Sequence, residues 1–492
     1  MLVSVLIWSA LAALFLTSHE VAAVEFALDD AWIHHVYARS LWTEGNFNYN
    51  SGVAESGFTS PLWVILLAPL HGISAATGLS LVLLTRLLSG ALAAATTVVL
   101  ARAAAHWMDE RAQWFTVAAS LSSTLFVFGA FSGMEVSLAG LCVAGALYAA
   151  ICRLTGVAGT LLALATLARP EAAVVSVVVF AAEQLRRMPA QERLLRTVQL
   201  AWPSVLAGSL WLAWDLRHTG HLLPNTFYAK SDGSFNVGVQ HWWNQVFVGF
   251  GAMRWILLAP ATAAGAWLLL RRHLRESGAW LAAAAGMPVA IVLTAELAPH
   301  VGFYMSRYFA PFSILLAPVA GVGLSWMAGR ASSGRLRPFL APMVVLASLP
   351  SLLAGAQSFG DHCRDVELLH TRPFRDLSAN VPPTTVVAVE GAGASRFHLR
   401  GRVVDLVGLN DHVRVHLTEP ADQMCHVVLA QPTVFVIPSD WVQRYATGFE
   451  LEVVARYEQP EWSVVHGVMG RAVVIARARP LDGIVAFCRG RQ

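Results

Sequence analysis

Apolar runs of membrane-crossing length dominate the chain, separated by short polar connections rich in arginine. A bilayer core is crossed by about 17 to 25 mostly apolar residues, and about eleven such runs can be traced here. They lie at roughly 2–24, 80–105, 113–131, 134–152, 155–169, 171–186, 198–216, 254–271, 279–298, 308–328 and 338–356. The run 155–169 is the weakest, being short and carrying Gly156 and Gly159. Pro61 to Leu70 is too brief to cross and predicts a helix lying at the interface. After residue 357 the pattern changes, and β-rich runs at Thr385–Val389, Val403–Leu406, Val434–Ile437, Leu451–Tyr457 and Ala472–Ala476 alternate with Gly, Pro and Asp turns. The pattern predicts an α-helical polytopic membrane domain over 1–357, with a long first loop at 25–79, followed by a soluble α/β domain over 358–492.

Composition agrees with lipid as the solvent. Of 492 residues 56% are hydrophobic and 13% charged, against about 25% charged in an ordinary soluble domain. A soluble globule is thereby excluded, and a net charge of +3 is too small to call for a nucleic-acid partner. Lys230 is the only lysine among 34 cationic residues, which marks it out. The cysteines at 142, 152, 363, 425 and 488 form no zinc-like spacing.

Arginine placement sets the expected orientation. Arginines gather at Arg186–Arg196, at Arg271–Arg275, at Arg330–Arg337, and more thinly around Arg102, Arg111 and Arg153, which assigns these loops to the cytoplasm. The first loop, the 217–253 loop and the 358–492 domain then lie outside, in a bacterial plasma membrane. Cys363, Cys425 and Cys488 would face an oxidising compartment, where one disulfide is expected without its pairing being deducible. The apolar start lacks a positive n-region and predicts an uncleaved first helix.

Ionisable groups near a membrane are costly unless they pair or serve a water-filled cavity. Those of this chain concentrate on the expected external side: Asp29 and Asp30, Glu135, Arg169 and Glu171 around Pro170, Lys230 and Arg307. Adjacent carboxylates repel, so one of Asp29 and Asp30 needs a raised pKa or a cationic partner, and a carboxylate so tuned can act as a general base. Equally, either can cap a helix through Ala31–Leu41. Adjacent His34 and His35 point about 100° apart on such a helix, so His34 is expected to serve structure or contact substrate rather than bind metal. Lys230, closing the aromatic run Asn225-Thr226-Phe227-Tyr228-Ala229, can hold a lipid phosphate or snorkel to the interface. Arg169-Pro170-Glu171 is either an ion pair at a kink or a phosphate contact. Gly391-Ala392-Gly393 follows a strand but lacks the third glycine and the later acid of a dinucleotide loop.

Several runs together carry a family likeness. Asp29-Asp30-Ala31-Trp32-Ile33, Tyr37-Ala38-Arg39-Ser40-Leu41, Glu44-Gly45, Asn50 and Glu55-Ser56-Gly57-Phe58-Thr59-Ser60-Pro61-Leu62-Trp63 resemble the first external loop of bacterial GT-C membrane glycosyltransferases. The nearest group resembled is the terminal arabinofuranosyltransferases of the mycobacterial cell wall. Ser132-Gly133-Met134-Glu135, Ala168-Arg169-Pro170-Glu171, Leu223 to Lys230, Ser306-Arg307-Tyr308 and Val404 to Asp411 extend the likeness in order along the chain. His34-His35-Val36 stands where a run of Thr-Phe-Arg type is usual, and Ser56 where glycine is usual.

The resemblance implies a polyprenyl-phosphate-sugar donor, a glycan or lipid acceptor on the external face, and inverting transfer, with a pentofuranose such as arabinofuranose as one sugar to expect. Asp29 or Asp30 would be the base. Lys230, Arg307 and Arg169 would neutralise the departing phosphate, and Glu171, Glu135, Tyr228, Asn225, His34, Arg39 and Glu55 would contact substrate. Some GT-C enzymes use a divalent cation, magnesium or manganese, at the acidic pair; no metal ligands can be assigned here. A proton-coupled secondary transporter and a non-catalytic membrane sensor are the alternatives. A transporter places its charges near the midplane and shows repeated halves; a sensor needs no cluster of acids and bases.

Overall fold

The computed structural model describes residues 2–229, 252–297, 308–330, 340–466 and 468–491. It divides into two compact units, the first made of 1–18, 85–211 and 232–357, the second of 19–84, 212–231 and 358–492. The first loop thus belongs to the same unit as the C-terminal domain.

The first unit is helical. Leu81–Trp107, 310–330 and 341–380 are long and apolar enough to cross a membrane, and the bent pair Glu110–Leu121 and Thr124–Phe131 makes a fourth such span. Leu6–Leu16, Val136–Ile151 and Thr155–Ala168 are shorter apolar helices. Glycine lets backbones touch: a side chain on Gly265 would strike the Val319 carbonyl, and one on Gly323 the Ala261 carbonyl, so Ala252–Arg272 and Leu316–Arg330 pack as small-residue helices do in lipid.

Three boundaries differ from the apolar pattern, the first two for a local reason. The first helix ends at Leu16 rather than near 24, where the hydroxyls of Thr17 and Ser18 donate to the carbonyls of Ala13 and Phe15 and compete with the helical ladder. The run 113–131 is bent by 65°. There Thr116, Ser120 and Ser122 each donate a hydroxyl to the carbonyl four residues back, the pattern that bends helices. The last apolar helix passes 357, running from Leu340 to Val366 through Pro350, Gly355 and Gly360, and a further helix follows at Arg372–Asn380. The break at Arg169-Pro170 is present: Arg169 is extended, as the residue before proline tends to be.

In the second unit, Asp30–Glu44, a small hairpin of β1 (Asn48–Asn50) and β2 (Val53–Ala54), and Pro61–Thr77 form the first loop. Pro61–Thr77 outruns the brief helix expected there, ending only at left-handed Gly78. The C-terminal part is a mixed sheet of β3 (Val387–Val389), β4 (Val403–Asp405), β5 (Val434–Pro438), β6 (Phe449–Ser463) and β7 (Val468–Pro480), in the order β4-β3-β5-β7-β6. The first three strands are parallel and β7 is antiparallel to both neighbours. Val404, Phe435, Ile437, Phe449 and Val474 fill its core. A disulfide joins Cys425 in Pro420–Leu429 to Cys488 in Ile484–Arg489, while Cys363 is a buried thiol.

Candidate active site

Asp29 stands immediately before the Asp30–Glu44 helix yet makes no side-chain cap on it. Its carboxylate reaches across the unit instead. Oδ2 accepts the Gly393 N–H at 2.9 Å and Oδ1 the Ala394 N–H at 2.8 Å, with His370 Nδ1 at 3.9 Å from Oδ2. A side chain at position 393 would collide with the Asp29 carbonyl, so glycine is required there. The start of the Ala392–His398 helix, with Gly391 before it, is therefore the seat of the aspartate. Asp30, half-buried, opens the helix.

The rest of the first loop is fastened to the C-terminal domain by buried polar bonds. Tyr37 donates its hydroxyl to Asn410 Oδ1 at 2.8 Å and accepts the Gly57 N–H at 3.0 Å. The Arg39 guanidinium donates to the carbonyls of Phe397 and Arg396 and lies 4.8 Å over the Phe397 ring; burial pushes its pKa down to about 10. Arg39 thus works as an anchor. His34 and His35 are both buried. His35 stacks on Phe26 and has its Nδ1 3.3 Å from His71 Nε2.

Glu55 gathers the next cluster. It accepts from the Asn225 amide at 2.8 Å, the His412 N–H at 3.1 Å and His412 Nδ1 at 2.8 Å. Tyr228 lies close by in sequence, its ring 4.6 Å from that of His416. Burial raises the Glu55 carboxyl above its usual range, and the hydrogen bond to Glu55 raises His412. A histidine raised on folding stabilises fully below its unfolded value near 6.5, and the benefit fades as pH climbs through the folded value. Glu55 has the same sign, since burial favours its protonated form. We expect the melting-temperature gap between the native protein and His412→Gln to be wide at about pH 6 and narrow at about pH 8.5. A gap independent of pH would show that the pair does not titrate as described.

In the first unit, Arg169, Glu135 and Glu171 form one buried group. Arg169 is 3% exposed; its Nη1 meets Glu135 Oε1 at 2.5 Å, its Nε lies 3.5 Å from Glu171 Oε2, and its guanidinium sits 4.5 Å over the Tyr308 ring. Two carboxylates hold the cation in place rather than presenting it to a phosphate. Lys230 and Arg307 lie outside the described residues. Both Asp29 oxygens accept backbone N–H groups, and no group of three or more His, Cys, Asp or Glu placed to hold a metal occurs among the described residues.

The family described as "Domain of unknown function (DUF8728)" matches residues 368–479. No curated protein matches the chain. Among solved structures, ArnT from Cupriavidus metallidurans bound to undecaprenyl phosphate superposes with a TM-score of 0.63 at 15% identity, over 98% of each chain. The oligosaccharyltransferase of Archaeoglobus fulgidus superposes at 0.58 and 12% identity, over 98% of this chain and 76% of that one. The same archaeal enzyme, AglB, in complex with an inhibitory peptide and a dolichol-phosphate, gives 0.54. The chain shares their fold. It is a largely helical, GT-C-like membrane fold with a C-terminal mixed-sheet domain.

Residues that sequence reasoning left out of the site are His370, Gly393, His412 and His426. Asp405 accepts the N–H groups of Val407, Gly408 and Asn410, which shapes the loop that presents Asp411 and His412. The signal for that loop was present in Asp405-Leu406-Val407-Gly408-Leu409-Asn410, with Gly408 at φ 91. The partner of the loop, Glu55, lies 357 residues from His412 and carries no local sign of the pairing.

Proposed function

We propose that the chain is a membrane glycosyltransferase moving a sugar from a polyprenyl-phosphate donor to a glycan or lipid acceptor on the external face of a bacterial plasma membrane. The observation that carries this is the likeness over 98% of both chains to ArnT, solved with undecaprenyl phosphate. The sugar suggested by the first-loop resemblance is a pentofuranose such as arabinofuranose. The Cys425–Cys488 disulfide supports an external C-terminal domain, because such bonds persist in oxidising compartments.

In the proposed reaction the acceptor oxygen attacks the anomeric carbon, its proton passes to an aspartate, and the bond from that carbon to the phosphate oxygen breaks. Polyprenyl phosphate leaves with its electron pair, and configuration inverts. Asp30 is taken as the base, and Asp29, whose oxygens accept the N–H groups of Gly393 and Ala394, as the residue that holds the first loop in place. With Arg169 held by Glu135 and Glu171, the proposal gives Lys230 and Arg307 the charge of the leaving phosphate. Preorganised cations at developing charge are among the largest contributions an enzyme makes. Mass spectrometry of lipid co-purified with the protein tests the donor class. Polyprenyl phosphates or their glycosides should be enriched over bulk membrane lipid; their absence would reject it.

A further inference from the structure

A cleft of about 560 Å³ opens in the second unit, where β1 and the Ser51–Val53 turn meet β4 and the 410–413 loop. That volume lies within the usual range of ligand sites and far exceeds what a bare anion needs. Its lining includes three guanidinium groups and two carboxylates.

Both carboxylates already have hydrogen-bond partners. Glu55 is hydrogen-bonded to His412 Nδ1 at 2.8 Å, and Asp411 Oδ2 to His426 Nε2 at 2.7 Å. Asp411 also accepts the N–H groups of Val413 and Arg414, and its carboxyl is held below the ordinary value with the bond from His426 contributing. Of the guanidinium groups, Arg396 lies in the field of Glu44, a carboxylate outside the cleft lining. Arg396 donates to the carbonyls of Tyr49 and Leu399, which leaves its charge in place. Arg400 and Arg402 are exposed, and among the described residues neither pairs with a carboxylate. The cleft is therefore electropositive. His412 and His426 also line the cleft, and the ring nitrogen of each that does not meet its carboxylate is a hydrogen-bonding group for a hydroxyl.

We infer that this cleft binds an anionic saccharide, a sugar unit bearing carboxylate or phosphate, with Arg400 and Arg402 on its charge and the edges of His412 and His426 on its hydroxyl groups. If the chain is a glycosyltransferase as proposed above, the occupant is part of the acceptor glycan, and that assignment rests on the earlier reading; binding itself does not.

Isothermal titration of the full-length protein in detergent, with no donor lipid present, is the test. The probes are digalacturonate, neutral digalactose and inorganic phosphate. Digalacturonate should bind at least tenfold more tightly than digalactose and weaken as salt is raised. The double variant Arg400→Gln/Arg402→Gln should lose at least tenfold with an unchanged melting temperature, and Arg400→Lys/Arg402→Lys should retain part of the binding. Equal binding of the charged and neutral disaccharides, no binding of either, or indifference to the double variant would overturn the inference. Binding of phosphate without digalacturonate would reduce the cleft to a bare-anion site and overturn the saccharide assignment. A protein that binds digalacturonate but consumes no lipid-linked sugar keeps this site and loses the glycosyltransferase reading; the reverse result separates them the other way.

Discussion

Asp30→Asn should slow sugar transfer by about a hundredfold or more while leaving the melting temperature close to that of the native protein. General-base removal ordinarily costs about 10²–10⁴ in rate, and the amide keeps the shape of the side chain at the first position of Asp30–Glu44. Asp29→Asn should behave differently. An amide can still accept one of the N–H groups of Gly393 and Ala394, but it turns its own NH2 toward the other. A buried donor left without an acceptor costs about 1–3 kcal/mol, so Asp29→Asn should lower the melting temperature, and any loss of rate should come with that loss of order. Initial rates and thermal unfolding measured on both variants decide between the roles. Near-normal transfer by Asp30→Asn, with a slow and stable Asp29→Asn, would exchange them.

The second large effect should appear in the first unit. Arg169 and Glu135 are 3% and 4% exposed, and removing one partner of a buried pair typically costs about 3–5 kcal/mol because the other is left as an uncompensated charge. Arg169→Met removes the cation that Glu135 and Glu171 both contact and should be the most destabilising change at this cluster. Glu135→Gln should be milder, since Glu171 still offers Arg169 a carboxylate at 3.5 Å. The double change Arg169→Met/Glu135→Leu should recover much of the lost stability. Thermal unfolding in detergent reads all three. A stable Arg169→Met would mean that the pair contributes little to the fold, and would return Arg169 to the phosphate-binding candidates.

What the sequence made legible follows from the range of the interactions involved. Membrane helices are written in local apolar runs, and each of the five expected strands coincides with a strand of the mixed sheet, because short β-branched runs bounded by turn residues are local signals. Helix ends were less legible where hydroxyl side chains compete with the backbone, as at Thr17 and Ser122. The pairing of Asp29 with Gly393 and Ala394 spans 364 and 365 residues. Only the adjacency of two acids was visible locally, and capping and catalysis remained equal readings. The structure adds a third role for Asp29, as the tie between the first loop and the C-terminal domain. Arg39 tells the same story: the family resemblance implied substrate contact, whereas its donors go to the carbonyls of Arg396 and Phe397.

The most direct measurement follows the donor. Purified protein in liposomes, supplied with a labelled lipid extract containing polyprenyl-phosphate sugars and with cell-envelope glycan as acceptor, should release free polyprenyl phosphate in step with labelled glycan, and Asp30→Asn should slow both by about a hundredfold or more. Nucleotide sugars should not substitute. Transfer from a nucleotide sugar, or no release of polyprenyl phosphate while the protein remains folded, would contradict the proposed function.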